Sequence, residues 1–181
     1  WIRGGALSAD GRHVVSASHD QVARLWDVAG YAETRVLQGR TLSGHRDAVL
    51  GVAWSPDGEQ VVTASRDRTA RTWSAASGKE LRNLEEGHAY LVSSAAFFSD
   101  GRRLATSAVD DSVRIWDVTT GVELVRLEGT GRSAALALSA ETAAVWGMDG
   151  AWYFRRRHKG KAGKRQKIAT IALNQKKSCQ A

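Results

Sequence analysis

Cysteine is nearly absent from this chain of 181 residues. Cys179, close to the C-terminal end, is the only one, so no disulfide can form within the chain. That scarcity suits a reducing compartment, and the cytoplasm is the expected location. No apolar run approaches the ~20 residues that a membrane helix requires, so a membrane is not among the expected partners. No charged-then-apolar leader is visible. The chain opens on Trp1-Ile2-Arg3, in mid-pattern, as a fragment of a longer protein would. Metal-ligand spacing is also missing. His13, His19, His45, His88 and His158 are scattered, with no Cys pair and no helical His-Glu-x-x-His, so no metal and no cofactor is expected. Acidic residues are lacking from Gly150 onward, a stretch that holds ten of the 26 Lys and Arg. The preceding part carries the other 16 against all 19 acids. A mildly acidic body therefore ends in a strongly basic tail, and the two need separate readings.

What is present is repetition. Asp-Gly pairs fall at Asp10-Gly11, Asp57-Gly58 and Asp100-Gly101. Trp26, Trp73 and Trp116 follow with the same two spacings, and Gly44-His45 recurs as Gly87-His88. A period of about 40–45 residues signals four-stranded blades arranged around an axis. Within one unit, Val49–Trp54, Val61–Ser65 and Ala70–Trp73 are rich in β-branched and aromatic residues and are separated by turn signals. Asp-Gly between two such runs marks a tight hairpin, because Gly accepts the positive φ that the turn demands. Glu80–Leu84 and Glu123–Leu127 fit fourth strands, while the first unit has a longer connection over 29–39. Runs such as Val113-Arg114-Ile115-Trp116 are apolar on both parities, which fits strands covered on both faces.

These residues predict an all-β chain: a β-propeller of four-stranded antiparallel blades, three of them clear, with a degenerate fourth. The units run 1–40, 41–84, 85–128 and 129–154, followed by a basic tail over 155–181. In the fourth unit Ser133–Ser139 resembles a first strand, but Arg155-Arg156-Arg157 stands where the Trp should follow.

The Gly-His, Ser-x-Asp and Trp-Asp steps, the last at Trp26-Asp27 and Trp116-Asp117, make residues 1–154 resemble the WD-repeat propellers. Their style is similar to repeats of prokaryotic multidomain signalling proteins. Trp73-Ser74 departs from the dipeptide that names the family. The resemblance implies a hydrogen-bonded chain of His, Ser or Thr, Asp and Trp inside each blade. By position these are His45, Ser65, Asp67 and Trp73 in the second unit. The third unit has His88, Asp110 and Trp116, with Ala108 at the Ser place, so its chain is expected to be broken. The first has Ser18, Asp20 and Trp26, its His falling before Trp1. Family members typically have about seven blades, so the resemblance also implies part of a larger propeller.

Ser65, His45 and Asp67 have the composition of a nucleophile triad. They recur with the repeat, as an active site does not, and no Gly-x-Ser-x-Gly elbow surrounds Ser65, so scaffold is the better reading. Gly129 to Ala134 loosely fits a dinucleotide loop, but it stands where the Gly-His turn of unit four belongs and has no βαβ context. Arg24, Arg71 and Arg114 each stand two residues before a repeat Trp, a register that suits a stem laid over the blade.

Strand direction places the Gly-His entry loops and the Ser-x-Asp turns at one end of the propeller, with the Asp-Gly turns at the other. Side chains beside His and Asp are free to vary for recognition. They are Arg46, Asp47 and Leu50; Tyr90, Leu91 and Ser93; and His19, Arg66 and Val109. The expected function is a non-enzymatic scaffold that binds other proteins or peptides, as part of a larger signalling or regulatory protein. The alternatives are a nucleic-acid-binding module or the regulatory end of an enzyme whose catalytic domain lies elsewhere. Between Arg155 and Lys177 the tail could meet phosphate backbones, an import receptor or acidic lipid. It could equally be a disordered solubilising end or a foreign segment, or Lys167–Leu173 could supply a fourth strand.

Overall fold

The computed structural model describes residues 1–28, 44–85 and 87–128 in full, together with the backbone of strands 32–38, 133–138, 142–147, 150–155 and 166–167. Its strands form four antiparallel four-stranded sheets. The first blade holds β1 (Ile2–Leu7), β2 (His13–Ser18), β3 (Val22–Asp27) and β4 (Ala32–Gln38). The second holds β5 (Val49–Trp54), β6 (Gln60–Ser65), β7 (Ala70–Ser74) and β8 (Glu80–Leu84). The third holds β9 (Val92–Phe97), β10 (Arg103–Ala108), β11 (Ser112–Asp117) and β12 (Glu123–Glu128). The fourth holds β13 (Ser133–Leu138), β14 (Thr142–Gly147), β15 (Gly150–Arg155) and the two-residue β16 (Gln166–Lys167). β1, β5, β9 and β13 pack beside one another in that order, which puts the first strand of every sheet innermost.

The expected β-propeller architecture is thus observed. The fourth sheet owes its last strand to the basic segment, where Lys167 pairs with Trp152 and Gln166 with Tyr153. That strand ends at Lys167, while 168–173 lie outside the described residues. No helix among the described residues is long and apolar enough to cross a membrane.

Local chemistry explains the hairpins. In the Ser55-Pro56-Asp57-Gly58 turn, Asp57 Oδ1 accepts from Ser55 Oγ at 2.5 Å and from the Glu59 amide at 2.9 Å. Gly58 closes the turn at φ 74°, a region that L side chains rarely adopt. The same turn recurs at Gly11 and Gly101, with φ 69° and 66°.

Burial is continuous between blades. Val15, Ala17, Ala23 and Leu25 of blade one pack with Val49, Val61 and Trp73 of blade two. Val62, Ala64, Ala70 and Leu84 of blade two pack in turn with Val92, Leu104, Trp116 and Val118 of blade three. Trp73 and Trp116 therefore turn their rings toward the preceding blade. A Cβ on Gly87 would lie 2.6 Å from Cη2 of Trp116, so the Gly of the Gly-His step makes room for the indole. On the opposite face of blade one the equivalent row is Leu7, Val14 and Trp26. There Leu7 is 59 % exposed, whereas Val61 and Trp73 are almost wholly buried.

Candidate functional site

The residues expected to carry function gather at the His/Asp end, and their geometry starts from a polar relay buried in each blade. Trp73 Nε1–H donates to Thr63 Oγ1 at 2.9 Å, and Thr63 Oγ1 lies 2.6 Å from His45 Nε2. His45 Nδ1 lies 2.9 Å from Asp67 Oδ2. A carboxylate only accepts, so the imidazole proton sits on Nδ1 and Nε2 is left to accept from the Thr63 hydroxyl. The bonds then run one way, from indole to hydroxyl to imidazole to carboxylate. Asp67 also accepts from the amides of Arg46 and Thr69 and from the Thr69 hydroxyl, which fixes both loops at this end.

The structure corrects the sequence reading here. The hydroxyl between His and Trp is Thr63, not Ser65. Ser65 Oγ instead donates to the carbonyls of Asp47 and Ala48 and accepts from the Asp67 amide. The third blade is not broken either. Trp116 Nε1 donates to Thr106 Oγ1 at 2.9 Å, Thr106 Oγ1 is 2.7 Å from His88 Nε2, and His88 Nδ1 is 3.0 Å from Asp110. Ala108 stands at the place of Ser65 and leaves this relay intact, so the second blade is not the sole one with a complete chain. In blade one Trp26 Nε1 donates to Ser16 Oγ at 2.9 Å rather than to Ser18, and Asp20 pairs with Arg24 at 2.8 Å. A legible signal existed for the missed residues. Ser16, Thr63 and Thr106 each stand ten positions before their Trp.

Electrostatics follow from this packing. Burial opposes ionisation of Asp67, but His45, the Thr69 hydroxyl and the Arg46 amide hold its carboxyl well below the usual range. Asp110 is lowered against the same opposition by Ser112, the Ala89 amide and His88. Burial pushes His88 below its ordinary value, against the pull of Asp110. A histidine whose folded pKa lies below its unfolded value adds stability above about pH 6.5, and that contribution is lost as the pH falls. The urea midpoint of the chain is therefore expected to drop between pH 7 and pH 5, with a shallower slope in His88→Gln. Equal slopes for the two proteins would show that His88 does not titrate on folding.

Ser65 makes no hydrogen bond to His45, so these two do not form a nucleophile–base pair. The two buried repeat arginines do more than lay down their stems. Arg71 pairs with Glu80 at 2.7 Å, and Arg114 pairs with Glu123, each across the third and fourth strands.

The surface candidates divide by exposure. His19, Arg46, Arg66 and Tyr90 are exposed, Tyr90 to 63 %. Leu50, Leu91 and Val109 are half-buried. Asp47 and Ser93 are partly committed, since Asp47 Oδ1 accepts from the Ala48 amide and Ser93 Oγ donates to the Ser107 carbonyl. Sequence reasoning missed Arg68, whose backbone takes φ 73°. It lines a cleft of about 380 Å³ with Arg46, Asp67, Thr69, Arg71, Glu85 and His88.

Four-stranded blades built on a Trp-hydroxyl-His-Asp relay define a WD-repeat propeller. A family model described as WD domain, G-beta repeat, matches residues 1–27, 37–74 and 78–117, and the chain belongs to that family. Among solved structures it is similar to that of U3-55K, with a TM-score of 0.80 and 26 % identity over 86 % of this chain and 49 % of the other. It is also similar to the crystal structure of the RRP9 WD40 repeats, with a TM-score of 0.81 and 25 % identity over 90 % of this chain and 50 % of the other. The chain thus spans about half the length of both. No curated protein matches it. Propellers of this family generally act as protein-interaction scaffolds.

Proposed function

We propose that this chain is part of a non-enzymatic scaffold within a larger cytoplasmic signalling or regulatory protein, and that it docks partner proteins on its His/Asp end. One observation carries this reading: the loop backbones at that end are fixed alike in successive blades while their side chains differ. The Arg46 and Ala89 amides donate to Asp67 and Asp110, each at 2.9 Å. The amides of Arg66 and Val109 donate to the carbonyls of Ala48 and Leu91 at 2.9 and 3.1 Å. The frame thus demands neither Arg46 nor Ala89, neither Arg66 nor Val109. A rigid frame carrying variable side chains suits recognition. Exposed Tyr and Arg are residue types that anchor interfaces.

Selection of a displayed peptide library on the folded chain tests the reading. Selected peptides should lose binding to Tyr90→Ala and Arg66→Ala and keep it for Glu59→Ala at the Asp-Gly end. Binders indifferent to every substitution at the His/Asp end would sink it. Ten basic residues without an acid favour a second reading, nucleic-acid binding through 155–177. A salt titration of DNA binding that is unchanged when Arg155, Arg156 and Arg157 are replaced by Gln would remove that alternative.

A further inference from the structure

We propose that the cleft between blades two and three receives an acidic segment of a partner protein, its carboxylates seated between Arg46 and Arg68, with Arg66 on the rim. This rests on the scaffold reading above and names the partner's chemistry. Three loop positions at the His/Asp end have the same backbone roles in blades two and three. In blade three they hold Ala89, Val109 and Asp111; in blade two all three are arginines, Arg46, Arg66 and Arg68. The position of Arg68 is the telling one. Gln21, Arg68 and Asp111 share a left-handed backbone, with φ 72°, 73° and 65°. A non-glycine residue is uncommon there, and the three side chains have nothing in common, so the turn itself does not ask for an arginine.

The guanidinium groups are also uncommitted among the described residues. Among the described residues Arg46, Arg66 and Arg68 pair with no carboxylate, and all three are exposed. The acids on the cleft wall are already occupied. Asp67 accepts from His45, Thr69 and the Arg46 amide. Glu85 takes the Asn83 amide group and lies 3.8 Å from Arg71, which is itself held by Glu80. The planar guanidinium fork matches a carboxylate with paired hydrogen bonds. A nucleic acid fits less well, because its repeating phosphates would have to cross a body with 19 acids against 16 bases over residues 1–149. Among the described residues no Trp, Tyr or Phe lines the cleft to stack on bases.

The test is fluorescence anisotropy on the full chain, with a labelled peptide of alternating Glu and Asp, a Gln-Asn peptide of equal length and a single-stranded DNA. The acidic peptide should bind and the neutral one should not, with affinity falling as salt rises. Arg46→Gln with Arg68→Gln should weaken binding about tenfold or more, Arg46→Lys with Arg68→Lys should restore part of it, and both should melt like the parent chain. Replacing Arg155, Arg156 and Arg157 by Gln should leave most of the affinity. Three results would overturn the proposal: no binding of the acidic peptide, binding indifferent to Arg46 and Arg68, or DNA that occupies the cleft more tightly than the peptide. If library peptides still depend on Tyr90 while the acidic peptide fails, the scaffold reading stands and only this proposal falls.

Discussion

Replacing Trp73 by Ala is expected to cost the fold roughly 3–5 kcal/mol, the range for deletion of a buried aromatic side chain. The indole is 2 % exposed and fills the boundary between two blades, where Val15 and Leu25 of the first blade meet Val61 of the second. Its removal opens a cavity in that boundary and orphans the Thr63 end of the relay. Equilibrium denaturation of the full chain measures the loss. A change within ~1 kcal/mol would mean that the blades do not depend on this contact. Trp26→Ala is the internal comparison. Its ring stands on the half-exposed face of blade one, so its loss should cost clearly less.

The second large effect is expected from Thr63→Val, a change that keeps shape and removes only the hydroxyl. Thr63 is wholly buried and its hydroxyl joins the Trp73 indole to the His45 ring, with the Arg71 carbonyl farther off at 3.4 Å. Each buried polar group left without a partner costs about 1–3 kcal/mol, so a loss of roughly 2–4 kcal/mol is expected. Ser65→Ala should cost less, because the Ala48 carbonyl that Ser65 serves keeps the Arg66 amide as a donor. The comparison is decisive for the relay. Were Ser65→Ala the more damaging of the two in urea denaturation, Thr63 would not be its centre.

The architecture was legible because its punctuation is chemical. Asp-Gly supplies a turn that only a few residue pairs can make, and a Trp at constant phase marks the third strand of the first three units. Which hydroxyl meets the indole was not legible from the motif alone. Ser65 and Thr63 stand two apart on β6 and share a face, so strand parity cannot separate them. Register decides it. Trp73 pairs directly with Val61, and its long ring reaches diagonally to Thr63. For the same reason Ala108 misled: the loss of a Ser in the motif suggested a gap, while the working residue, Thr106, lay two positions earlier. The Arg-Glu pairs were hidden differently. Arg71 with Glu80 and Arg114 with Glu123 lie nine residues apart, a spacing that has meaning only once the third and fourth strands are seen to pair. Strand direction grouped the surface candidates at the His/Asp end, but Arg68 was not among them, because its left-handed turn position is seen only in the structure.

That Trp73 and Trp116 each lean on the blade before them gives the molecule a time order. As a nascent chain leaves the ribosome, the Val15 and Leu25 wall is made before Trp73 arrives to rest on it, and blade two then offers its own wall to Trp116. Damage travels in the same direction. A protease that removes the last sheet leaves the cover over Trp73 untouched. A cut that frees the first hairpin bares Trp73 and so loosens the support of the next blade along.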